Sequence, residues 1–326
     1  MPAPIVAVTR SLPAPGVAPL LAAGFEVRHR DVDGPCPPDE LHELVRGVDG
    51  VFALLSERID EAFLDAAGPQ LRVVANMAVG FDNVDVAACT ARGVQVTNTP
   101  DVLTDATADL AWALILGAAR RIPEADRLVR SGTWQGWRPM DLLGLTVAGK
   151  TLGILGMGKI GSAIARRATG FGMRIRYHNR TPSPEAAALG AELVDRATLF
   201  ATSDVVVLAA PATPETHHVV DAAALATMRR SAILVNVARG TLVEESALVE
   251  ALRAGTITAA GLDVYEFEPR LVDGLTACEN TVLLPHLGSS TIEARAAMVE
   301  LACGNITAVL GGRAPLTPVN DLTPRG

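Results

Sequence analysis

One glycine-spaced turn constrains the fold of this chain more than any other feature of its sequence. Gly156, Gly158 and Gly161 stand in a G-x-G-x-x-G pattern. The apolar run Thr151–Leu155 precedes it, and a helical stretch opens at Lys159. In such a unit the first glycine permits a tight turn, the second lets the backbone approach a phosphate, and the third lets helix and strand pack closely. The pattern therefore predicts a βαβ unit that binds a dinucleotide at the N-terminus of its helix.

Short runs of apolar and β-branched residues recur along the chain and alternate with helical stretches. Several runs, such as Val205–Leu208 and residues 233–235, are apolar at every position, which is typical of strands covered on both faces. The runs form two groups, separated by a long predicted helix at residues 104–121, and a last helix is predicted at Ile292–Leu310. The predicted fold class is therefore α/β, with two doubly wound parallel-sheet domains.

Length and composition restrict the class of protein. The chain has 326 residues, 49% of them hydrophobic, with 28 Lys and Arg against 36 Asp and Glu. The length suits two domains, the apolar content excludes a disordered chain, and the net charge of −8 argues against a nucleic-acid partner. No apolar run reaches the roughly 20 residues of a membrane span, and no signal peptide is evident. The four scattered cysteines indicate no metal site, so we expect a cytoplasmic protein with reduced thiols.

The end of the strand after the glycine turn bears on the choice of dinucleotide. NAD-binding folds place an acidic residue there, which hydrogen-bonds the ribose 2′-OH. Asn179 stands at this position instead, followed by Arg180 and Thr181. A cation and a hydroxyl suit a 2′-phosphate, so the sequence favours NADP(H), with NAD(H) as a second possibility. The alternative is that Arg180 is an ordinary solvated side chain.

Three later segments place polar side chains just after buried strands. Arg239 closes the first, Glu268 lies in the second, and His286 lies in the third. Hydride transfer to a 2-keto acid needs a cation that holds the carboxylate and polarises the carbonyl. It also needs an acid that protonates the new alkoxide, and a carboxylate that orients this acid. Arg239, His286 and Glu268 are the candidates for these three roles in that order, and a structural role for His286 is the alternative.

Six motifs make the chain resemble the D-isomer-specific 2-hydroxyacid dehydrogenases. They are NMAVGFDNVD at 76–85, TNTPDVLTDATAD at 97–109, GILGMGKIG at 153–161, NVARG at 236–240, GLDVYEFEP at 261–269 and PHLGSST at 285–291. The resemblance runs from about Val51 to Asn320. It implies the three catalytic roles given above. It also implies a Rossmann cofactor domain at residues 99–288, inserted into a flavodoxin-like substrate domain of residues 1–98 and 289–326.

The resemblance implies binding roles for further residues. Cofactor contacts are implied for Thr107, Gly156, Met157, Gly158, Lys159, Ile160, Gly161, Asn179, Arg180, Thr181, Ala210, Pro211, Val237, Ala238, Asp263, His286 and Gly288. Within this set, Asp263 is implied to bind the nicotinamide carboxamide, and Pro211 to line the adenine side. Substrate contacts are implied for Leu55, Ala78, Val79, Gly80, Trp137, Arg239 and His286, with backbone N–H groups of the turn at 78–80 binding the carboxylate.

Within the family, the chain is most similar to the glyoxylate/hydroxypyruvate reductases. LLSERID at 54–60 and GTWQGWRPMDLLG at 132–144 resemble that branch. The branch implies NADPH-dependent reduction of glyoxylate and hydroxypyruvate to glycolate and D-glycerate. It also implies a homodimer in which the loop carrying Trp137 reaches the partner, although this residue could instead anchor its own loop. The alternatives are a D-lactate, D-glycerate or phosphite-type dehydrogenase, or a non-catalytic nucleotide-sensing corepressor.

Overall fold

The computed structural model describes residues 2–322 and divides the chain into two units. The split unit comprises the residues up to Leu103 and those from Ser289 onward, and the central unit comprises Thr104–Gly288. The first boundary therefore falls after Leu103 rather than after residue 98, because the Thr99 N–H donates to Ala78 O at 2.8 Å and ties this segment to the split unit. Residue 1 and residues 323–326 of the predicted substrate domain lie outside the described residues.

A five-stranded parallel sheet forms the split unit. Its strands are β1 (Ile5–Val8), β2 (Glu26–His29), β3 (Gly50–Ala53), β4 (Val73–Asn76) and β5 (Gln95–Thr97). Its helices are α1 (Ala18–Ala22), α2 (Pro38–Leu44), α3 (Glu61–Ala67), α4 (Val86–Ala91) and α12 (Ile292–Leu310). The strand order β2-β1-β3-β4-β5 is that of flavodoxin-like folds, as the resemblance implies.

A seven-stranded parallel sheet forms the central unit. Its strands are β6 (Thr151–Leu155), β7 (Arg174–His178), β8 (Glu192–Leu193), β9 (Val205–Leu208), β10 (Ile233–Asn236), β11 (Ala259–Leu262) and β12 (Thr281–Leu283). Its helices are α5 (Thr104–Ala119), α6 (Ile122–Arg130), α7 (Lys159–Ala168), α8 (Pro184–Ala188), α9 (Arg196–Thr202), α10 (Ala222–Thr227) and α11 (Glu245–Ala254). The order β12-β11-β10-β9-β6-β7-β8 is the Rossmann order with one strand added at the edge.

Strand β9 shows why its sequence is apolar at every position. Val205 and Val207 belong to the hydrophobic core that also contains residues of α5 and α7. Val206 and Leu208 belong to a second core, which contains residues of α9, α10 and α11. Successive side chains of a strand point to opposite faces, so helices cover both faces of this sheet. The fold class predicted from the sequence is confirmed.

Two elements of the central unit differ from the sequence prediction. The helix predicted at 104–121 ends at Ala119, and Arg121 takes a left-handed conformation with φ +53°. Helix α6 then begins at Ile122 with Pro123 in its first turn, where a missing N–H costs nothing. Strand β8 has two exposed residues, so no apolar run marks it. Among residues 2–322, no helix has the length and apolar character needed to cross a bilayer.

Candidate active site

The strand order of the central sheet reverses between β6 and β9, which is where open α/β sheets bind ligands. Gly156 follows β6 with φ +98°, and a Cβ on it would lie 2.5 Å from Ala210 N. A Cβ on Gly161 would lie 2.2 Å from Gly156 O, whereas one on Gly158 would meet nothing within 4 Å. Two of the three glycines are thus required by close packing, and Gly158 leaves an open backbone face for a ligand.

A cavity of about 400 Å³ opens beside this glycine turn. The predicted cofactor residues among its lining are Gly156, Gly158, Asn179, Arg180, Thr181, Ala210 and Pro211. Helix α7 begins at Lys159, so the N-terminus of this helix and the positive end of its dipole lie at the glycine turn. Asn179 Oδ1 accepts from the Met157 N–H at 2.7 Å and so holds the turn in place. Cavity, helix N-terminus and cationic rim together fit a dinucleotide.

Other predicted cofactor residues lie elsewhere in the central unit. Ile160 belongs to the first turn of α7 and is half-buried, and Val237 and Ala238 follow β10. Thr107 and Gly288 form a separate buried group, in which Thr107 Oγ1 donates to Gly288 O at 3.0 Å.

The buried Asp263 joins this group and fixes the backbone that carries His286. The His286 N–H donates to Asp263 O at 2.9 Å. The Leu287 and Gly288 N–H groups donate to the two carboxylate oxygens of Asp263 at 2.6 and 2.8 Å. These bonds hold His286 at φ +57°, in the left-handed region. Burial raises the pKa of the Asp263 carboxyl, although the two N–H groups and the charge of His286 act against this rise.

His286 and Glu268 form a hydrogen-bonded pair within the central unit. His286 Nδ1 lies 2.9 Å from Glu268 Oε2, and Glu268 Oε1 accepts from the Tyr265 N–H at 2.9 Å. Burial acts to raise the pKa of Glu268, but its bond to His286, the charge of His286, the Tyr265 N–H and the charge of Arg239 together lower it. A carboxylate can only accept, so Nδ1 donates and Nε2 is the ring nitrogen left for a substrate.

The loop that carries Arg239 is shaped by two neighbours that the sequence analysis does not single out. Asn236 Oδ1 accepts from the Ala238 N–H at 3.0 Å, and Asn236 Nδ2 donates to Arg239 O at 2.9 Å. A Cβ on Gly240 would lie 1.8 Å from Tyr265 C, so this loop touches the Glu268 loop through bare backbone. The only sequence signal for either residue is its place in the NVARG motif. The three predicted catalytic residues thus follow β10, β11 and β12, at the carboxyl edge of one sheet.

The turn after β4 in the split unit has the form of an anion-binding turn. The side-chain amides of Asn98 and Asn76 donate to Val79 O at 2.8 Å and to Gly80 O at 3.0 Å. Ala78 is buried, and its carbonyl accepts from the Thr99 N–H. Within the described residues, the N–H groups of Val79 and Gly80 make no hydrogen bond. This turn can therefore offer two donors to a carboxylate.

Two more predicted substrate residues lie on loops. Leu55 follows β3 and is 38% exposed, and the neighbouring Leu54 N–H donates to Glu57 Oε2. Glu57 is buried and also accepts from Thr9 Oγ1 at 3.0 Å, so it holds this loop, a role that no sequence motif indicated. Trp137 lies in the loop after α6 and is 83% exposed.

Comparison with known proteins assigns the chain to a family. The family model for the NAD-binding domain of D-isomer-specific 2-hydroxyacid dehydrogenases matches residues 112–288. The glyoxylate reductase of Thermococcus kodakarensis is 50% identical over 322 residues, which are 97% of this chain and 96% of that protein. A crystal structure of a Thermus thermophilus protein matches with a TM-score of 0.91 and 45% identity, over 97% of this chain and 100% of that one.

A second solved structure carries a cofactor. It is the NADPH-dependent glyoxylate/hydroxypyruvate reductase of Sinorhizobium meliloti, in complex with NADP and malonate. It matches with a TM-score of 0.84 and 36% identity, over 98% of this chain and 97% of that one. With the glycine turn and the His286–Glu268 pair in place, these matches show that the chain is an NAD(P)-dependent oxidoreductase and belongs to the family of D-isomer-specific 2-hydroxyacid dehydrogenases.

Proposed function

We propose that this protein reduces glyoxylate and hydroxypyruvate to glycolate and D-glycerate with NADPH. The observation that carries the proposal is the His286–Glu268 pair, at the carboxyl edge of the sheet that also bears Arg239. This edge supplies an acid, its orienting carboxylate and a cation, which are the groups that reduction of a 2-keto acid needs. The 50% identity with a glyoxylate reductase supports the choice of substrate.

Arg239 serves as the cation of the reaction. Its guanidinium is permanently charged and presents a planar fork of N–H donors, which matches a carboxylate. As negative charge builds on the carbonyl oxygen, the same group stabilises it. Asn236 and Gly240 keep this side chain at the sheet edge by fixing the backbone on both sides of it.

His286 serves as the acid of the reaction. The bound dinucleotide would supply the hydride, and the oxygen of the reduced carbonyl must then take a proton. Because Nδ1 donates to Glu268, the protonated ring presents its Nε2–H to that oxygen. Glu268 stays a carboxylate, stabilises the charged ring and fixes its orientation. In the reverse direction the same pair accepts the hydroxyl proton.

The turn at Ala78–Gly80 is proposed to bind the substrate carboxylate through the Val79 and Gly80 N–H groups. Backbone donors that are already aimed outward bind an anion without reorganisation. The Thr99 N–H binds the Ala78 carbonyl and the Asn98 amide binds the Val79 carbonyl, which fixes the two peptide planes that carry the Val79 and Gly80 N–H groups.

The preference for NADPH is proposed to come from Arg180. This side chain is exposed and lines the cavity at the end of β7, where an acidic residue would bind a ribose 2′-OH. Replacing Arg180 with Ala should weaken NADPH binding by about 10- to 100-fold, as expected for the loss of hydrogen bonds between charged groups. The affinity for NADH should change little, because NADH has no phosphate at this position. Dissociation constants from nicotinamide fluorescence measure both effects.

The matched control for this variant is Arg166→Ala on α7. Arg166 is half-exposed, pairs with Glu185 at 3.3 Å and does not line the cavity. Its loss should leave the affinities for NADPH and NADH unchanged. If Arg180→Ala leaves the ratio of the two affinities as it is in the wild type, Arg180 is a solvated surface charge.

The proposed reaction is tested with the purified protein, NADPH and a panel of 2-keto acids. We expect the absorbance of reduced nicotinamide to fall with glyoxylate and hydroxypyruvate. Faster turnover with pyruvate would favour the D-lactate alternative instead. If the protein binds NADPH but oxidises it with no 2-keto acid, the proposed reaction is wrong.

We also propose that the protein is a homodimer. Helix α6 and the loop after it expose apolar side chains along one continuous segment, namely Ile122, Val129, Trp134, Trp137, Met140 and Leu143. Apolar patches of this kind mark interaction surfaces, and a second copy of the chain is the occupant that the resemblance implies. Light scattering at micromolar concentration should give twice the mass of the chain, and Trp137→Asp should lower it. A monomer mass for the wild type would contradict the dimer.

A further inference from the structure

A second histidine–carboxylate pair lies in the central unit outside the chemistry described above. His218 Nε2 and Glu266 Oε1 are 2.6 Å apart, and their side chains are 31% and 11% exposed. Because a carboxylate oxygen can only accept, the ring nitrogen is the donor. His218 takes a left-handed conformation with φ +47°, and its N–H donates to Thr241 O at 2.9 Å. A bulky residue held in this conformation indicates a constrained segment rather than a mobile one.

Glu266 is also tied to the first residue of α11. The Glu266 N–H donates to Glu245 Oε1 at 2.9 Å, and the Glu245 N–H donates to Glu266 Oε2 at 3.3 Å. Glu245 is 1% exposed, which is rare for a carboxyl group. Burial raises the pKa of Glu245, although the Glu266 N–H acts against the rise. Both oxygens of Glu266 are therefore engaged, one by His218 and one by Glu245.

The backbone of Glu266 lies between the loops of two catalytic residues. A Cβ on Gly240 would lie 2.3 Å from Glu266 N, so the residue after Arg239 rests directly on Glu266. In the chain, Glu266 stands between Tyr265, whose N–H binds Glu268, and Glu268 itself. A shift of Glu266 must therefore move both the Arg239 loop and the carboxylate that orients His286.

The segment of His218 also borders the cofactor cavity. Thr213, Glu215, Thr216 and Val219, on either side of His218, line the cavity beside the glycine turn. The His218–Glu266 bond thus joins the wall of this cavity to the loop of the catalytic carboxylate.

From this arrangement we infer that His218, Glu266 and Glu245 are positioning residues, which set the alignment of Arg239 and of the His286–Glu268 pair relative to the cofactor wall. The inference rests on the proposed reaction, because it assigns a role within it. The three residues touch no substrate and transfer no proton. Their effect is on the fraction of bound substrate that is aligned for hydride transfer.

The test compares His218→Ala with His218→Gln in the full-length protein. Alanine removes the donor, and we expect kcat to fall by about 10- to 100-fold with a rise in the KM for glyoxylate, since displacements near 1 Å cost this much. The dissociation constant of NADPH should stay within about twofold, because the cavity wall keeps its own backbone bonds. Glutamine can place an amide N–H where Nε2 lies, so it should recover most of the lost kcat.

Glu266→Gln provides a second variant that keeps the size of the side chain. Its amide cannot accept the Glu245 N–H and the His218 N–H together, so it should also lower kcat. Glu250→Gln, an exposed carboxyl on the same helix α11, is the matched control and should behave as the wild type. If His218→Ala does not fold, Glu266→Gln takes its place as the variant expected to lower kcat. It is then compared with His218→Gln, which is expected to retain most of kcat.

A spectroscopic readout separates this inference from the proposed function. Selective ¹⁵N labelling of the six histidines should show the Nδ1–H resonance of His286 moving in His218→Ala and returning in His218→Gln. A wild-type protein without turnover would contradict the proposed function. The shift of the His286 resonance would still test whether His218, Glu266 and Glu245 position His286. If His218→Ala lowers only Tm and leaves kcat and the His286 resonance unchanged, then His218, Glu266 and Glu245 serve stability alone. This result would overturn the inference.

Discussion

Replacing His286 with Asn is expected to lower kcat by about 10²- to 10⁴-fold, the range that general acid catalysis contributes. Asparagine tolerates the left-handed conformation at φ +57°, so the backbone bonds to Asp263 should remain. It carries no group that can donate a proton to an alkoxide at neutral pH. The affinity for NADPH should stay nearly unchanged, because the glycine turn and the cavity lie at other strand ends. Steady-state rates and fluorescence titration measure the two quantities.

The matched control for this variant is His42→Asn on α2 of the split unit, which removes a histidine that is none of the proposed catalytic or binding residues. Its kcat should equal that of the wild type. A similar loss of kcat and of NADPH affinity in His286→Asn would show that the histidine serves the cofactor rather than the proton transfer.

Replacing Arg239 with Gln is expected to lower kcat by about 10²- to 10³-fold, which is the cost of removing one donor that stabilises developing negative charge. The KM for glyoxylate should rise as well, because the substrate carboxylate loses its cation. Lysine at this position should restore part of the KM but little of kcat, since an ammonium group cannot reproduce the planar fork. Full kinetic profiles of the three proteins, with saturating NADPH, separate the two effects.

Arg46→Gln is the control for this pair of variants, because its exposed side chain forms only a surface ion pair with Glu43. It should change neither kinetic constant. A rise in KM without a fall in kcat for Arg239→Gln would mean that the guanidinium binds the substrate but does not stabilise the transition state.

The sequence predicts the sheets well because their signals are local. Strand β9 has four apolar residues in a row, and Gly156 and Gly161 stand where a Cβ would collide with backbone. Strand β8 carries no such signal, because its two residues are exposed at the edge of the sheet. The sequence also does not predict that the helix ends before Arg121, because arginine rarely adopts a positive φ and its residue type gives no sign of one.

The candidate site was predictable only for groups whose chemistry is visible in the residue type. An arginine, a histidine and a glutamate after successive strands suggest catalysis by themselves. Asn236 and Gly240 contribute through backbone bonds and close approach, which depend on where the Tyr265 loop lies in space. The same is true of His218 and Glu266, which are 48 residues apart in the chain. Positioning of this kind is a property of the tertiary structure and leaves no periodic pattern in the sequence.

His286 has a left-handed backbone conformation, so the residue that the reaction needs at this position is not the one that gives the most stable fold. A non-glycine residue in this region carries a cost of order 1 kcal/mol, which asparagine or glycine would reduce. The bond between His286 and Glu268 offsets little of this cost in folding free energy, because both side chains are about a third exposed. A directed-evolution library of this chain, screened for heat resistance alone, is therefore expected to enrich inactive proteins at residue 286. Thermostable variants would have to be selected with turnover scored in every round.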